Sequence, residues 1–167
     1  MWLTRRHCLA FLGSLVPAAS GLSPRRAGAA TPPPVLADTL GLRGYDAVSY
    51  FLDAAAGPLP GQAAFELSWQ RRAWRFASRA NLLVFRDDPA TYAPRLAGHD
   101  PLGVVQGRIV DADPLVYARV IFEGTERLYL FRTAETRDLA RRTPSVIGEA
   151  EARWPRLRDL GDLRLPD

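Results

Sequence analysis

The strongest constraint on the fold is an internal repeat, in which a block of sequence recurs about 55 positions later. A shift of 54 also aligns Gly44–Val48 with Gly98–Leu102. Repeats of this length are typical of supersecondary units that bury apolar surface against a copy of themselves. We interpret the pattern as a tandem duplication of a strand, hairpin and helix unit; chance similarity in a sequence of narrow composition is the alternative. The pairs aligned by a shift of 55 are Trp74 with Tyr129, Phe76 with Phe131, Ser78 with Thr133, and Pro89 with Pro144.

The first unit contains a predicted strand, a hairpin and a short helix. Ala47–Phe51 is rich in strand-forming residues. Apolar and polar residues then alternate in Phe65–Trp69 and Trp74–Phe76, which predicts a hairpin. Ser78 is a natural N-cap for a helix that Asp88-Pro89 interrupts. The side chains predicted to face inward are Phe65, Leu67, Trp69, Trp74 and Phe76 from the hairpin, and Leu82, Leu83 and Phe85 from the helix.

The second unit repeats this plan. Tyr117–Phe122 and Leu128–Phe131 predict a hairpin, and Thr133 is the predicted N-cap of the helix that follows. A last helix is expected to have Pro144 in its first turn and one apolar stripe. Together the two units predict an α+β fold: a single small domain made of two tandem β-hairpin/helix units. The residues of the apolar stripe are Val146, Ile147, Ala150 and Trp154.

The first thirty residues have the pattern of a twin-arginine signal peptide. Arg5 and Arg6 precede the apolar run Leu9–Ala19, which is too short and too interrupted to span a bilayer. Ala27–Ala30 offers small residues for cleavage. We therefore expect export to the periplasm by the twin-arginine machinery, with no stable membrane anchor after cleavage. An uncleaved membrane-associated helix and a wrongly assigned start codon are the alternatives.

The remaining chain divides into three predicted parts. A Pro-rich linker covers residues 31–41, the folded domain covers 42–156, and a C-terminal tail covers 157–167. Removal of residues 1–30 takes away four arginines and no acidic residue, which leaves 18 residues of each sign. The basic character of the full chain therefore gives no reason to expect a nucleic acid as partner.

The composition also excludes several kinds of chemistry. The chain has no lysine and a single cysteine, Cys8, so a lysine nucleophile, a P-loop, a cysteine-rich zinc cluster and an internal disulfide are all excluded. His99 is the one imidazole left after cleavage. The sequence also contains none of the G-x-S-x-G, G-x-G-x-x-G or H-E-x-x-H motifs that would indicate a hydrolase, a dinucleotide-binding protein or a zinc protease.

Several segments resemble the YHS domain family, particularly its exported bacterial members. The similarity covers nearly all of residues 42–156. The resemblance implies a small α+β module that is often suspected of binding a metal and often has no assigned activity. The segments that carry it are Gly44–Phe51, Trp74–Ser78, Phe85, Asp88-Pro89, Tyr92–Pro94, Gly103–Gly107, Asp113-Pro114, Leu128–Leu130 and Ala152–Pro155.

The sequence departs from this family at the positions that matter for a metal. Metal-binding relatives carry two cysteines where this chain has Ala77 and Asn81. Exported relatives often read Gly-Tyr-Cys where this chain has Gly98-His99-Asp100. A methyl group offers no lone pair to a cation, and an amide oxygen is a weak ligand for a soft one. Thiolate coordination is therefore excluded in the cleaved chain, and the identity of any cofactor stays unknown.

Four residues are the candidates for a ligand site: Tyr45 and Asp46 in the first unit, and His99 and Asp100 in the second. If the duplication brings the two units together, Asp46, His99 and Asp100 could hold a divalent cation or shift one another's pKa values. The alternative is that each aspartate caps a turn and His99 is packed or exposed.

Arginines 71, 72, 75, 79 and 86 cluster around the first hairpin and helix. They form either a solvated face or a surface for an anionic partner. Taken together, these features predict an exported periplasmic YHS-like binding or accessory module without enzymatic activity, whose ligand is a metal, a small molecule or a partner protein. The competing hypothesis is a small metal-dependent or acid/base hydrolytic enzyme that uses His99 and Asp100.

Overall fold

The computed structural model describes residues 40–53 and 55–162. The predicted signal peptide, and the predicted linker up to residue 39, lie outside these residues. The described residues form a small α+β domain in which two separate two-stranded antiparallel hairpins are each followed by helices, as the sequence predicts. The elements are β1 (Gln62–Trp69), β2 (Arg72–Phe76), α1 (Arg79–Asp87), α2 (Pro89–Tyr92), α3 (Pro101–Val105), β3 (Asp113–Phe122), β4 (Thr125–Phe131), α4 (Ala134–Arg142) and α5 (Ser145–Asp162).

The first hairpin, β1 and β2, forms as predicted around a tight turn. Gln70 and Arg71 both have positive φ, 49° and 60°, which is the geometry of a two-residue turn that matches strand twist. Trp74 and Phe76 are buried. Phe65, Leu67 and Trp69 are half-buried and pack against the same apolar cluster, which confirms the predicted inward face.

The helix after this hairpin is also confirmed. The Ser78 hydroxyl accepts a hydrogen bond from the backbone N–H of Asn81 at 3.1 Å, which caps the start of α1. Phe85 is fully buried on its inner side. Asp88 ends α1 and its carboxylate caps α2 by accepting from the N–H of Thr91. The Asp-Pro interruption is therefore a junction between two helices.

The strand predicted at Ala47–Phe51 is wrong. This segment is a turn followed by a single 3₁₀ turn at Ser49–Phe51. The Asp46 carboxylate accepts hydrogen bonds from the N–H groups of Val48 and Ser49. Those amides are then unavailable to a strand ladder, so local side-chain bonding overrides the strand propensity of the segment.

The second hairpin, β3 and β4, turns at Glu123 and Gly124, which both have positive φ. Thr133 caps α4 in a capping box with Thr136, as its position predicts. The last helix, α5, buries its predicted apolar stripe: Val146, Ile147 and Ala150 are buried, and Trp154 packs against them.

Both ends of the described fold extend beyond the predicted boundaries. Leu40 already bridges to Ala73 of β2, before the position where the sequence analysis starts the domain. Helix α5 continues past residue 156, and Leu157 packs against the apolar cluster of the second unit. Within the described residues, no helix has the length and apolar character that crossing a membrane requires.

The backbone repeats along with the sequence. Leu42 and Arg43 have φ of 52° and 50°, and Leu96 and Ala97 have φ of 53° and 51°. A glycine with positive φ follows each pair. Each turn leads into an isolated antiparallel bridge, Tyr45 with Pro60 in the first unit and His99 with Asp111 in the second. The two units therefore share a local geometry that goes beyond their hairpins.

The two units bury surface against each other. Leu128 and Leu130 of β4 belong to the apolar cluster of the first unit. Tyr50 reaches into the second unit, where its hydroxyl donates to the carbonyl of Pro114 at 3.0 Å. Its ring meets that of Tyr117 edge-on, with centroids 4.9 Å apart. The hairpins form separate sheets, but the units share one interior.

Candidate functional site

Asp46 is buried and holds the first unit together. Its Oδ1 accepts from the backbone N–H groups of Val48 at 2.8 Å and Ser49 at 3.3 Å. Its Oδ2 accepts from the N–H of Ala77 at 2.8 Å and from Nδ2 of Asn81 at 2.6 Å. Ala77 and Asn81 are the positions at which the YHS resemblance would place thiolates. In this chain they donate hydrogen bonds to a carboxylate.

Asp100 does the same in the second unit. Its Oδ1 accepts from the N–H groups of Leu102 at 2.8 Å and Gly103 at 3.1 Å, at the start of α3. Its Oδ2 accepts from the N–H of Arg132 at 2.6 Å and from the hydroxyl of Thr136 at 2.9 Å. Each aspartate therefore ties a turn in its own unit to the junction between hairpin and helix.

This geometry bears directly on the predicted cation site. Four protein donors already surround each carboxylate, and the donors to Asp46 and to Asp100 come from their own units. Among the described residues, no three His, Cys, Asp or Glu side chains form a group that could hold a metal ion, so Asp46, His99 and Asp100 are not such a group. The residues support the structural alternative, in which each aspartate caps a turn.

The other two candidates lie in different surroundings. Tyr45 is half-buried and packs against the apolar cluster of the first unit. His99 does not donate to Asp100; its nearest carboxylate is that of Asp111, with Oδ1 3.6 Å from Nδ1. That distance is too long for a hydrogen bond. Buried Nδ1 of His99 has no hydrogen-bond partner among the described residues.

The electrostatics of His99 follow from its partial burial. Burial lowers the pKa of the imidazole because it penalises the charged form. The Asp111 carboxylate opposes this by raising the pKa, and the Arg72 guanidinium lowers it further. The ring also lies beside Trp154, with centroids 5.7 Å apart. The neutral form of the His99 imidazole is therefore favoured, and its ring packs beside Trp154.

His99 lines an open groove of about 1100 Å³. The groove lies where the tips of both hairpins approach the segment 93–99 and helix α5. We call it the junction groove because both units and α5 contribute to it. Its aromatic lining is Trp69, Trp74, His99, Phe122 and Trp154, and its arginines are Arg71, Arg72, Arg95 and Arg158.

A partly buried ion pair lies in this lining. Arg95 donates to Glu151 through Nε at 2.8 Å and through Nη2 at 2.6 Å, and the hydroxyl of Tyr129 donates to the same carboxylate at 2.7 Å. The Glu151 side chain is 10% exposed. Its hydrogen bonds raise the pKa of Arg95, and burial first, then Glu151, raises the pKa of Tyr129. Arg95 is therefore a fixed cation.

Sequence reasoning found only part of this groove. The arginine cluster included Arg71 and Arg72, and the tryptophans were assigned to the core, where they do pack. Arg95 and Glu151 were missed because they lie 56 residues apart and have no shared motif. Searches against known protein families, curated proteins and solved structures found no match to this chain.

Proposed function

We propose that this chain is an exported, non-enzymatic YHS-like binding or accessory module, and that its ligand occupies the junction groove. The observation that carries the proposal is the groove itself. Its volume of about 1100 Å³ is slightly above the usual range of small-molecule sites, roughly 300–1,000 Å³, and it combines aromatic walls with a few polar groups. The twin-arginine pattern in residues 1–30 supports the periplasm as its location.

The competing hydrolytic hypothesis has less support from the same contacts. A histidine base is normally oriented by a hydrogen-bonded partner. Asp100, the proposed partner, already accepts four hydrogen bonds from other groups. Among the described residues, the carboxylate nearest to His99 is that of Asp111 at 3.6 Å, and the Asp111 side chain is 85% exposed.

Gly148 of α5 allows a direct test because it lines the groove and has open space in front of it. A Cβ atom at this position would meet no other atom within 4 Å. Gly148→Phe therefore adds a Cβ without a clash and introduces a bulky ring at the groove lining. Gly148→Ala is the matched control, since it improves helix propensity by roughly 0.5–1 kcal/mol and leaves the groove open.

The experiment is a thermal-shift screen of the full chain against a panel of aromatic acids, neutral aromatics, amino acids and sugars. We expect at least one class to raise the Tm of the wild type and of Gly148→Ala, and to lose that effect in Gly148→Phe. A panel without any hit, or a hit that Gly148→Phe leaves unchanged, contradicts the proposal.

A further inference from the structure

We infer that the junction groove takes a small organic anion with a flat aromatic body, held by Arg72 and Arg95 against the tryptophans. The inference deepens the proposed function, on which it rests, by naming a ligand class. It comes from the Arg95 guanidinium that Glu151 holds in place, the exposed Arg72 guanidinium in the same lining, the excess of arginines over unpaired carboxylates there, and the aromatic walls.

Arg95 presents unused donors. Its bidentate pair with Glu151 uses Nε and Nη2. Nη1 has no acceptor among the described residues, and the side chain is 37% exposed. Because the Glu151 carboxylate holds the Arg95 guanidinium in one orientation, the free N–H donors of that group would lose little conformational freedom on binding an anion. The group that orients Arg95 is itself held in place, since the Glu151 side chain is nine-tenths buried and accepts a hydrogen bond from Tyr129.

Arg72 of β2 supplies the second cation and contacts the same segment of chain that carries Arg95. Its Nη1 donates to the carbonyl of Ala97 at 3.3 Å, two residues beyond Arg95. Arg72 and His99 line the same groove. No carboxylate of the described residues pairs with Arg72, so its charge is free to meet an anion.

The charge of the lining favours an anion over a cation. The two acidic side chains in the lining are Glu151, which Arg95 and Tyr129 already engage, and Glu123 at the tip of the second hairpin. A metal ion would meet four guanidinium groups and a single carboxylate, that of Glu123, that no other described residue engages. A carboxylate ligand would meet Arg72 and Arg95, with which it forms charge-assisted hydrogen bonds.

The aromatic side chains indicate the shape of the rest of the ligand. Trp154 and His99 lie side by side, and Trp69 lines the groove where β1 meets β2, backed by the buried Trp74. Flat apolar rings gain contact area and favourable geometry against such side chains. A bare inorganic anion would leave these surfaces uncovered.

Isothermal titration calorimetry on the full chain tests the inference with three probes. We expect 2-naphthoate to bind, and both 2-naphthalenemethanol, which keeps the rings without the charge, and inorganic phosphate to bind at least tenfold more weakly. Equal binding of the neutral alcohol or of phosphate overturns the inference. So does the absence of naphthoate binding.

Arg72→Gln tests the residue assignment, because Arg72 lies at the surface and its loss leaves no buried charge. We expect the Kd for 2-naphthoate to rise about tenfold, while Arg141→Gln, at an exposed position at the end of α4, leaves the Kd unchanged. An unchanged Kd in Arg72→Gln overturns the assignment. Arg95→Gln leaves the mostly buried Glu151 carboxylate without its ion-pair partner, which destabilises the fold. Its Kd is therefore interpreted only together with a circular dichroism spectrum that shows the variant is folded.

The two proposals fail in different ways. If naphthoate does not bind but a neutral compound raises the Tm of wild type and not of Gly148→Phe, the groove is a binding site and the anion inference is wrong. If naphthoate binds equally well to Gly148→Phe, the ligand lies outside the groove and both proposals are wrong.

Discussion

Asp46 and Asp100 each accept four hydrogen bonds, and only the two local ones in each case can be expected from the sequence. The repeat picks out both positions, and local turn bonding accounts for half of their contacts. The other contacts come from 31 to 36 residues away, at the start of the helix in each unit. Spacing along the chain carries no signal for such partners, so the sequence equally allowed a cation site.

His99 gives a pH dependence with a definite sign. Because the folded protein lowers its pKa below the usual 6.5, the unfolded chain takes up this proton first as the pH falls. The contribution of His99 to the free energy of unfolding is therefore complete above about pH 6.5. It declines from there to the folded-state pKa. An NMR titration of the His99 ring protons should give a midpoint below 6.5.

Two neighbours provide the controls for this titration. Asp111→Asn should lower the midpoint further, since that carboxylate raises the pKa, and Arg72→Gln should raise the midpoint. A wild-type midpoint at or above 6.5, or shifts of the opposite sign in the variants, would show that the environment of His99 is not the one described.

Among the elements, the hairpins and capped helices follow from the sequence, and the turns that precede them do not. Alternation of apolar residues and the caps at Ser78 and Thr133 are local signals that the structure confirms. The turn at Leu42 and Arg43 has positive φ without a glycine at either position, and the residue types do not predict this conformation. The 3₁₀ turn at Ser49–Phe51 is misread as a strand for a related reason, since a neighbouring carboxylate captures its amides.

The two caps should make similar contributions to stability because they occupy equivalent positions. Ser78→Ala and Thr133→Ala each remove a hydroxyl that accepts from the third residue of its helix. We expect each to lower the free energy of unfolding by about 1 kcal/mol, measured by urea denaturation.

Ser68→Ala is the control for the caps, since Ser68 is exposed on β1 and should leave stability within about 0.5 kcal/mol of the wild type. If either cap variant is as stable as this control, the corresponding helix start is not held by its hydroxyl.

The junction groove exists only once both units and α5 are packed together. The repeat predicts that two units share an interior, and Tyr50 with Tyr117 shows one of the contacts by which they do so. The repeat does not predict the angle at which the hairpin tips meet α5. That angle depends on contacts such as Arg95 with Glu151, which have no counterpart in the alignment of the two units. The fold could therefore be predicted from the sequence, and the groove could not.

Two similar units, each closed by a buried aspartate, should unfold as one domain. Urea denaturation of Asp46→Asn and Asp100→Asn tests it most directly. Asparagine keeps the shape but turns an NH₂ group toward donors, so each variant should lose roughly 2–4 kcal/mol in a single transition. Asp87→Asn, at a position 70% exposed, should stay within about 0.5 kcal/mol of the wild type. Wild-type stability in either buried-aspartate variant, or two separate transitions, would contradict the claim.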